Sequence, residues 1–317
     1  MNLPMAGGYT DEQQLIASIA WLYYQEGMTQ DAIASRLGMT RARVIRMLNE
    51  ARSLGIVRIS VDYGFADCLE AEQALKQHYD LLDVRVIPGI DGQSRHDLIG
   101  QAAGSYLDSL LKPGDSLAIG WGRTVDAALP ALTPRRDKQH TVVSLYGGLP
   151  AGHHLNPYDT TARFARVLDA QSYYVTAPMF VSDQSVRDLL LAEPTVKSVL
   201  TQAANADVAL ISASDLGPDS KNLVYQVIDS SLRDSLLAAG AVGDTCGIYL
   251  DAKGQPVDHP LTHRMIVPPL AGIRQIPKII LASGGIDKVA ILHACLLQGL
   301  GNILITDTIT AQALLQI

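Results

Sequence analysis

Cysteine is scarce in this sequence, which contains three in 317 residues: Cys68, Cys246 and Cys295. They are odd in number and widely spaced, and no C-x-x-C pair or neighbouring histidine pattern accompanies them. This distribution argues against a disulfide framework and against a structural zinc site. We therefore interpret the cysteines as small core residues and expect no bound metal.

Long hydrophobic runs are also missing, although 48% of the residues are hydrophobic. No run approaches the roughly 18 to 20 apolar residues that a membrane-spanning helix requires. Asp11 and Glu12 lie near the start, and no basic stretch precedes an apolar one, so the sequence predicts no secretion signal. We expect a cytoplasmic protein.

Two nucleotide-binding fingerprints are absent as well. No G-x-G-x-x-G motif opens a helix with an acidic residue about 20 positions later, so a dinucleotide site is not predicted. The G-x-x-x-x-G-K-[ST] loop that holds ATP phosphates is not present either. We expect no cofactor.

What the sequence does contain is the pattern of a helix-turn-helix between residues 29 and 48. Ala34 is small enough for close helix packing, and Gly38 lies four residues later, at the turn. Val44 follows after six more residues and supplies the apolar contact of the next helix. This spacing predicts a module that binds DNA.

Helix caps and local charge agree with this interpretation. Thr29 and Thr40 are good N-cap residues for helices that begin at Gln30 and Arg41. Residues 40–58 carry five arginines against one acid, whereas the whole chain has a net charge of −7. A local basic patch on an acidic protein suits contact with phosphates.

We predict that operator DNA is contacted by Thr29, Gln30, Thr40, Arg41, Arg43 and Arg46. Arg43 and Arg46 are the candidates for base edges, and Thr40 and Arg41 lie at the helix end nearest the DNA backbone. Residues 55–61 alternate apolar and polar side chains, which predicts a short strand that begins a wing.

The rest of the chain is long enough for one α/β domain with a full core. We predict a DNA-binding domain at residues 1–62, a linker helix at residues 63–82 and a second domain at residues 83–317. The linker has a mostly helical pattern and is also a place where two subunits could pair, because helix-turn-helix proteins usually read paired half-sites as dimers. The sequence does not decide between these two roles.

Short apolar runs alternate with amphipathic stretches throughout the second domain. Strands are predicted at residues 84–88, 116–120, 141–145, 172–175, 207–211, 278–282 and 302–306. Helices are predicted at residues 96–111, 123–132, 157–169, 185–205, 230–239, 286–298 and 308–316. Such alternation predicts a doubly wound, mainly parallel sheet, in which ligands bind beyond the carboxyl ends of the strands.

Glycines and polar residues follow several of these strands. Residues 120–124, Gly-Trp-Gly-Arg-Thr, lie between a strand and a helix, where backbone amides, a hydroxyl and a guanidinium can meet an anion or sugar hydroxyls. Residues 146–148 and 283–288 follow other strands, and Gly243 and Asp244 are predicted in a loop before a strand at Ile248. Together they indicate a pocket for a small, polar ligand.

The chain resembles the SorC/DeoR group of bacterial sugar-responsive transcriptional regulators. The resemblance is carried by residues 19–30, 116–124, 241–244, 251–254 and 284–288, and it runs nearly from end to end. It implies a catalytically silent C-terminal domain that resembles sugar-phosphate isomerases in fold, binds a sugar effector and forms oligomers, commonly tetramers, on operator DNA.

The same resemblance maps the effector pocket onto the strand-end loops. The implied effector-binding residues are Gly120, Gly122, Arg123, Thr124, Gly147, Gly148, Asp244 and Lys288. Asp244 would accept hydrogen bonds from sugar hydroxyls, and Lys288 would meet a phosphate or carbonyl oxygen. This chain has Trp121 and Arg123 where phosphosugar-binding members often have small hydroxyl residues, so a free sugar or polyol stays as plausible as its phosphate.

Two other classes of function stay open at this point. An active sugar-phosphate isomerase or hydrolase with a DNA module would need a general base, for which Asp244 and His263 are the candidates. Neither lies in a recognisable catalytic signature. A purely architectural DNA protein would not need polar, glycine-rich strand ends.

Overall fold

The computed structural model describes residues 11–57, 66–89, 94–135, 139–149 and 156–317. The chain divides into two compact units, residues 1–62 and residues 63–317. Within the described ranges, no helix has both the length and the apolar character needed to cross a bilayer.

The described part of the first unit contains three helices, α1 (Asp11–Tyr24), α2 (Gln30–Arg36) and α3 (Arg41–Ser53). The two predicted caps are present, since the Thr29 hydroxyl accepts from the Ala32 amide and the Thr40 hydroxyl accepts from the Arg43 amide. Gly38 lies between α2 and α3 with φ +64°, a conformation that glycine adopts without strain.

The three helices enclose a small apolar core. Ala34 and Val44 are buried in it, in agreement with the spacing argument. The other buried side chains come from all three helices and include Ile16 and Ile19 of α1, Ile33 of α2, and Met47 and Ala51 of α3. The wing predicted at residues 55–61 falls mostly outside the described residues, and residues 55–57 form a turn and bend rather than a strand.

The second unit begins with α4 (Ala66–His78) and β1 (Asp83–Ile87). The sequence predicts a linker helix at residues 63–82, and α4 is the helix that the structure describes in this range. Cys68, Ala71 and Leu75 of α4 are buried in the main apolar core of the second unit, so α4 is an integral helix of that unit.

Seven strands form one parallel sheet with the order β1-β10-β9-β5-β2-β3-β4. Every strand predicted from an apolar run belongs to this sheet, which confirms the doubly wound architecture. Besides β1, its members are β2 (Ser116–Ile119), β3 (Thr141–Gly148), β4 (Gln171–Pro178), β5 (Val208–Ile211), β9 (Lys278–Ala282) and β10 (Ile303–Asp307).

An apolar core covers each face of the sheet at its central strands. Successive side chains of a strand point to opposite faces, so one strand contributes to both cores. Val208 and Leu210 of β5 pack in one core cluster, and Ala209 and Ile211 pack in the other. The remaining helices are α5 (Ser94–Leu110), α6 (Arg123–Asp126), α7 (Pro157–Val167), α8 (Gln184–Ala192), α9 (Pro194–Ala204), α10 (Lys221–Val224), α11 (Ser230–Ala238), α12 (Leu270–Ile273), α13 (Val289–Leu297) and α14 (Thr308–Leu314).

Some predicted helices are shorter or divided. The helix expected at residues 185–205 is broken into α8 and α9, because Pro194 begins the second one and cannot continue the first. The stretches expected at residues 123–132 and 286–298 each include a short 3₁₀ segment, Leu129–Ala131 and Ile286–Lys288.

A second, antiparallel sheet was not predicted. It contains β6 (Ala213–Asp215), β7 (Ala241–Thr245) and β8 (Ile248–Asp251) in that order. Cys246 and Gly247, both with positive φ, form the tight turn between β7 and β8. Gly243 and Asp244 therefore lie on a strand, paired with β6, and not in the expected loop.

Candidate functional site

A polar cavity of about 140 Å³ lies at the carboxyl edge of the parallel sheet. The strands β9, β5 and β2, which lead to it, are neighbours at the centre of the sheet. Three cationic side chains, three carboxylates and several hydroxyl groups line it. The lining residues are His96, Gly122, Arg123, Thr124, Ser212, Ala213, Ser214, Asp215, Asp219, Ser220, Lys221, Asp287 and Lys288.

The loop after β2 supplies one wall of the cavity. Gly122 has φ +125°, which an L side chain rarely adopts, and this conformation turns the chain into α6. Thr124 is buried, and its hydroxyl lies 3.2 Å from the Nδ1 atom of His96. The guanidinium of Arg123 is on the exposed side of the same loop.

His96 is a neutral side chain at neutral pH. Burial, which is the largest cause, and the positive charges of Lys288, Arg123 and Arg95 together lower its pKa to about 3. A neutral imidazole has one donor and one acceptor nitrogen, so His96 can exchange hydrogen bonds with a hydroxyl group. The imidazole adds no charge to the cavity.

Lys288 follows β9 and is only 9% exposed. Burial lowers its pKa to about 8, because the ammonium has lost much of its hydration; the Asp215 and Asp287 carboxylates oppose this, and Lys221 and Arg123 reinforce it. A buried ammonium is stabilised when an anion or another hydrogen-bond acceptor enters the cavity.

The segment after β6 supplies a second wall of the cavity, next to the loop after β2. The Lys221 ammonium lies 4.5 Å from the centroid of the Trp121 ring and donates to the Trp121 carbonyl oxygen at 3.2 Å. Burial lowers the pKa of Lys221, and the Asp244 carboxylate opposes that shift. The next residue, Asn222, donates to an Asp244 carboxylate oxygen at 2.6 Å.

The structure brings together four of the eight predicted effector residues: Gly122, Arg123, Thr124 and Lys288 all line the cavity. Asp244 does not line it. Asp244 is 4% exposed on β7, its carboxylate accepts from Asn222, and its negative charge opposes the lowering of the pKa of Lys221, which does line the cavity.

Three predicted glycines also lie away from the cavity lining. The Gly120 amide donates to the Leu210 carbonyl oxygen and continues the pairing of β2 with β5. A Cβ atom at Gly147 would lie 2.5 Å from the Ala177 carbonyl oxygen, and one at Gly148 would lie 2.5 Å from the Tyr158 ring. Gly147 and Gly148 are therefore required by packing against β4 and α7.

Sequence reasoning missed the contributions of residues 212–215 and 219–221. Residues 212–215 come directly after β5, so the rule that ligands bind after parallel strands could have identified them. His96 comes from the first turns of α5, where no sequence signal distinguishes it. His263, a candidate general base, pairs with Asp258 and does not line the cavity.

The first unit carries the second candidate site. The predicted DNA-contacting side chains at Thr29, Thr40, Arg41, Arg43 and Arg46 are exposed, and Gln30 is half-buried. The Nε atom of Arg41 lies 3.7 Å from an Asp31 carboxylate oxygen. Arg43 and Arg46 form no ion pair with any described residue. Their charges are therefore available to a polyanion.

Comparison with known proteins identifies the class. Residues 63–316 match the Sugar-bind family model, described as "Putative sugar-binding domain". The transcriptional regulator LsrR of Klebsiella pneumoniae is 32% identical over 314 residues, covering 98% of this chain and 95% of that protein. LsrR of Escherichia coli K12 is 33% identical, covering 96% of this chain and 95% of that protein.

A solved structure supports the same class as the family model and the LsrR relatives. The full-length sorbitol operon regulator SorC of Klebsiella pneumoniae aligns with a TM-score of 0.72 at 29% identity, over 96% of this chain and 100% of that chain. The chain therefore belongs to the SorC-like family of sugar-responsive transcriptional regulators.

Proposed function

We propose that the cavity is the effector site of the regulator and that its ligand is a sugar, a polyol or a sugar phosphate. The observation that carries the proposal is the convergence of Arg123, Lys221 and Lys288 with carboxylates and hydroxyls at the carboxyl edge of the central strands. A polyhydroxylated ligand needs donors and acceptors in alternation, and this lining supplies both.

An anionic group on the ligand is best accommodated beside Lys288 and Arg123. The guanidinium offers a planar set of donors that suits a phosphate, and the ammonium is a buried positive charge. The neutral imidazole of His96 and the hydroxyl of Thr124 complete the polar contacts on that side. A free sugar would use the same donors with lower affinity.

We propose that the helix-turn-helix binds operator DNA of a carbohydrate or polyol catabolic operon, with α3 in the major groove. Arg43 and Arg46 would read base edges, while Arg41 and the residues around the two caps, Thr29 with Gln30 and Thr40, would contact the DNA backbone. The exposed guanidinium groups of Arg43 and Arg46, which form no ion pair with any described residue, support this assignment.

Effector and DNA binding would be coupled through two states of an oligomer, for which we propose a tetramer acting in the cytoplasm. Coupling free energies of this kind are typically ~1–3 kcal/mol. We further propose that the protein has no catalytic activity and needs no cofactor. Asp244, the other candidate base, is bound by Asn222, which supports this proposal over an isomerase-like enzyme.

A thermal-shift screen tests the proposal, with free and phosphorylated sugars and polyols as probes, followed by operator titration by fluorescence anisotropy with and without the best stabiliser. We expect a stabiliser that also changes DNA affinity and is recovered unconverted. Stabilisation with turnover of the compound and no change in DNA affinity would instead favour the enzyme.

A further inference from the structure

Ser220 carries a buried hydroxyl that has no hydrogen-bond partner among the residues that the structure describes. The side chain is 3% exposed and lines the effector cavity. A hydroxyl removed from water without a new partner destabilises the folded protein. Buried polar groups are paired in the great majority of cases, so this exception calls for an explanation.

Lys221, the next residue, is fixed in place at the same wall. Its ammonium donates to the Trp121 carbonyl oxygen at 3.2 Å and lies over the Trp121 ring at 4.5 Å. An ammonium has three donors, so these contacts leave donor capacity for a ligand. The side chain of the following residue, Asn222, is held by its hydrogen bond to Asp244.

Asp215 adds an acceptor to the same group. Its side chain is 8% exposed and lines the cavity, and its negative charge opposes the lowering of the Lys221 pKa by burial. The carboxylate accepts from the Gly217 amide at 2.6 Å and has acceptor capacity for a further donor. A second anion here would be repelled by the carboxylate, and an apolar group would leave the Ser220 hydroxyl unpaired and the remaining hydrogen-bonding capacity of Lys221 and Asp215 unused. A hydroxyl group both donates and accepts, and it satisfies the whole set.

We infer that Ser220, together with Lys221 and Asp215, forms a subsite for one hydroxyl group of the effector and that Ser220 determines specificity for it. The inference rests on the proposed function in taking this cavity as the effector site. A rotation of the Ser220 side chain between staggered positions turns its oxygen toward a bound ligand. Binding then pairs a hydroxyl that is unpaired in the free protein.

The test compares Ser220→Ala with a matched control, Ser144→Ala, in the full-length protein. Ser144 is fully buried, does not line the cavity and donates to the Tyr146 carbonyl oxygen at 2.9 Å. Without ligand, Ser220→Ala should melt at the same temperature as the parent protein or higher, since it removes an unpaired hydroxyl. Ser144→Ala should melt roughly 2–4 °C lower, since it removes a paired one.

Binding is then measured by calorimetry with the tightest binder among glucose 6-phosphate, fructose 6-phosphate, sorbitol 6-phosphate, ribose 5-phosphate and the corresponding free compounds. Ser220→Ala should bind about tenfold more weakly, and Ser144→Ala should bind as the parent does. The double variant Ser220→Ala/Lys221→Met should lose less affinity than the product of the losses in the two single variants. The reason is that both side chains would contact the same hydroxyl oxygen of the ligand.

A Ser220→Ala protein that melts lower, as the Ser144→Ala control does, would overturn the inference, because the hydroxyl would then be paired in the free protein. Unchanged affinity in Ser220→Ala, or independent effects of Ser220 and Lys221, would also overturn it. If no compound binds the parent protein, the proposed function loses its support, while a higher melting temperature of Ser220→Ala still supports a hydroxyl kept for a ligand.

Discussion

The pH dependence of effector binding should follow the protonation of Lys288. Burial sets its pKa at about 8, so roughly nine-tenths of the free protein carries the ammonium at pH 7 and roughly one-tenth at pH 9. If only the protonated form binds an anionic effector, the apparent Kd rises about tenfold between these two pH values. A phosphate ester is already a dianion for most of this range, so the ligand contributes little to the change.

The variant Lys288→Met should separate this effect from other titrations. It removes the charge and keeps most of the apolar stem, so affinity for a phosphorylated sugar should fall and lose its dependence on pH between 7 and 9. Lys253→Met, at an exposed lysine outside the cavity lining, should retain the profile of the parent. The assay is isothermal calorimetry at five pH values in buffers of equal ionic strength.

Stability gives a second readout of the same residue. The folded pKa of Lys288 is depressed below its ordinary value of 10.5, so protonation opposes folding as the pH falls from 10.5 to 8, and the full penalty is present below 8. That penalty is about 3 kcal/mol. Lys288→Met should therefore unfold at a higher urea concentration at pH 7 than the parent protein. A flat binding profile, or a Lys288→Met variant that retains the pH dependence, would refute the reasoning.

Three further predictions concern other parts of the molecule. Arg46→Ala should weaken operator binding by about 1–3 kcal/mol in anisotropy titrations and leave the effector-induced thermal shift unchanged; loss of both would refute the division of roles. Asp244→Asn should lower the urea unfolding free energy by about 1–3 kcal/mol, because Lys221 loses its opposing charge, and equal unfolding curves would contradict this. Gly122→Ala should lower the free energy of unfolding by about 1–3 kcal/mol, because φ +125° is strained for a residue that has a Cβ atom. It should also weaken effector binding in calorimetry. An unaltered melting temperature would count against the strain argument.

The parallel sheet is predictable from the sequence because its strands are buried on both faces. Such strands read as uninterrupted apolar runs, of which residues 279–282 and 208–211 are clear cases. The helix-turn-helix is predictable for a different reason, since the small residue, the glycine and the capping threonines act locally. In both parts, short-range patterns contain the information that decides the structure.

The antiparallel sheet and half of the cavity are not predictable in this way. β6 and β7 are short, and β7 contains Gly243 and Asp244, which have low strand propensity. The pairing of β6 with β7 joins segments that are far apart in the chain. Asp244 has the polar character expected of a ligand contact, yet Asn222 engages it. Lys221 becomes significant only through its contacts with Trp121, which lies in another loop.

The cavity takes its walls from segments that are widely separated along the chain, between His96 and Lys288. A ligand that contacts all of them acts as a removable cross-link, because it holds together loops that would otherwise open independently. Intracellular proteases act on opened forms, so an occupied regulator should persist longer than an empty one. The supply of the sugar would then set how many copies of the regulator a cell retains, in addition to how tightly each copy holds its operator.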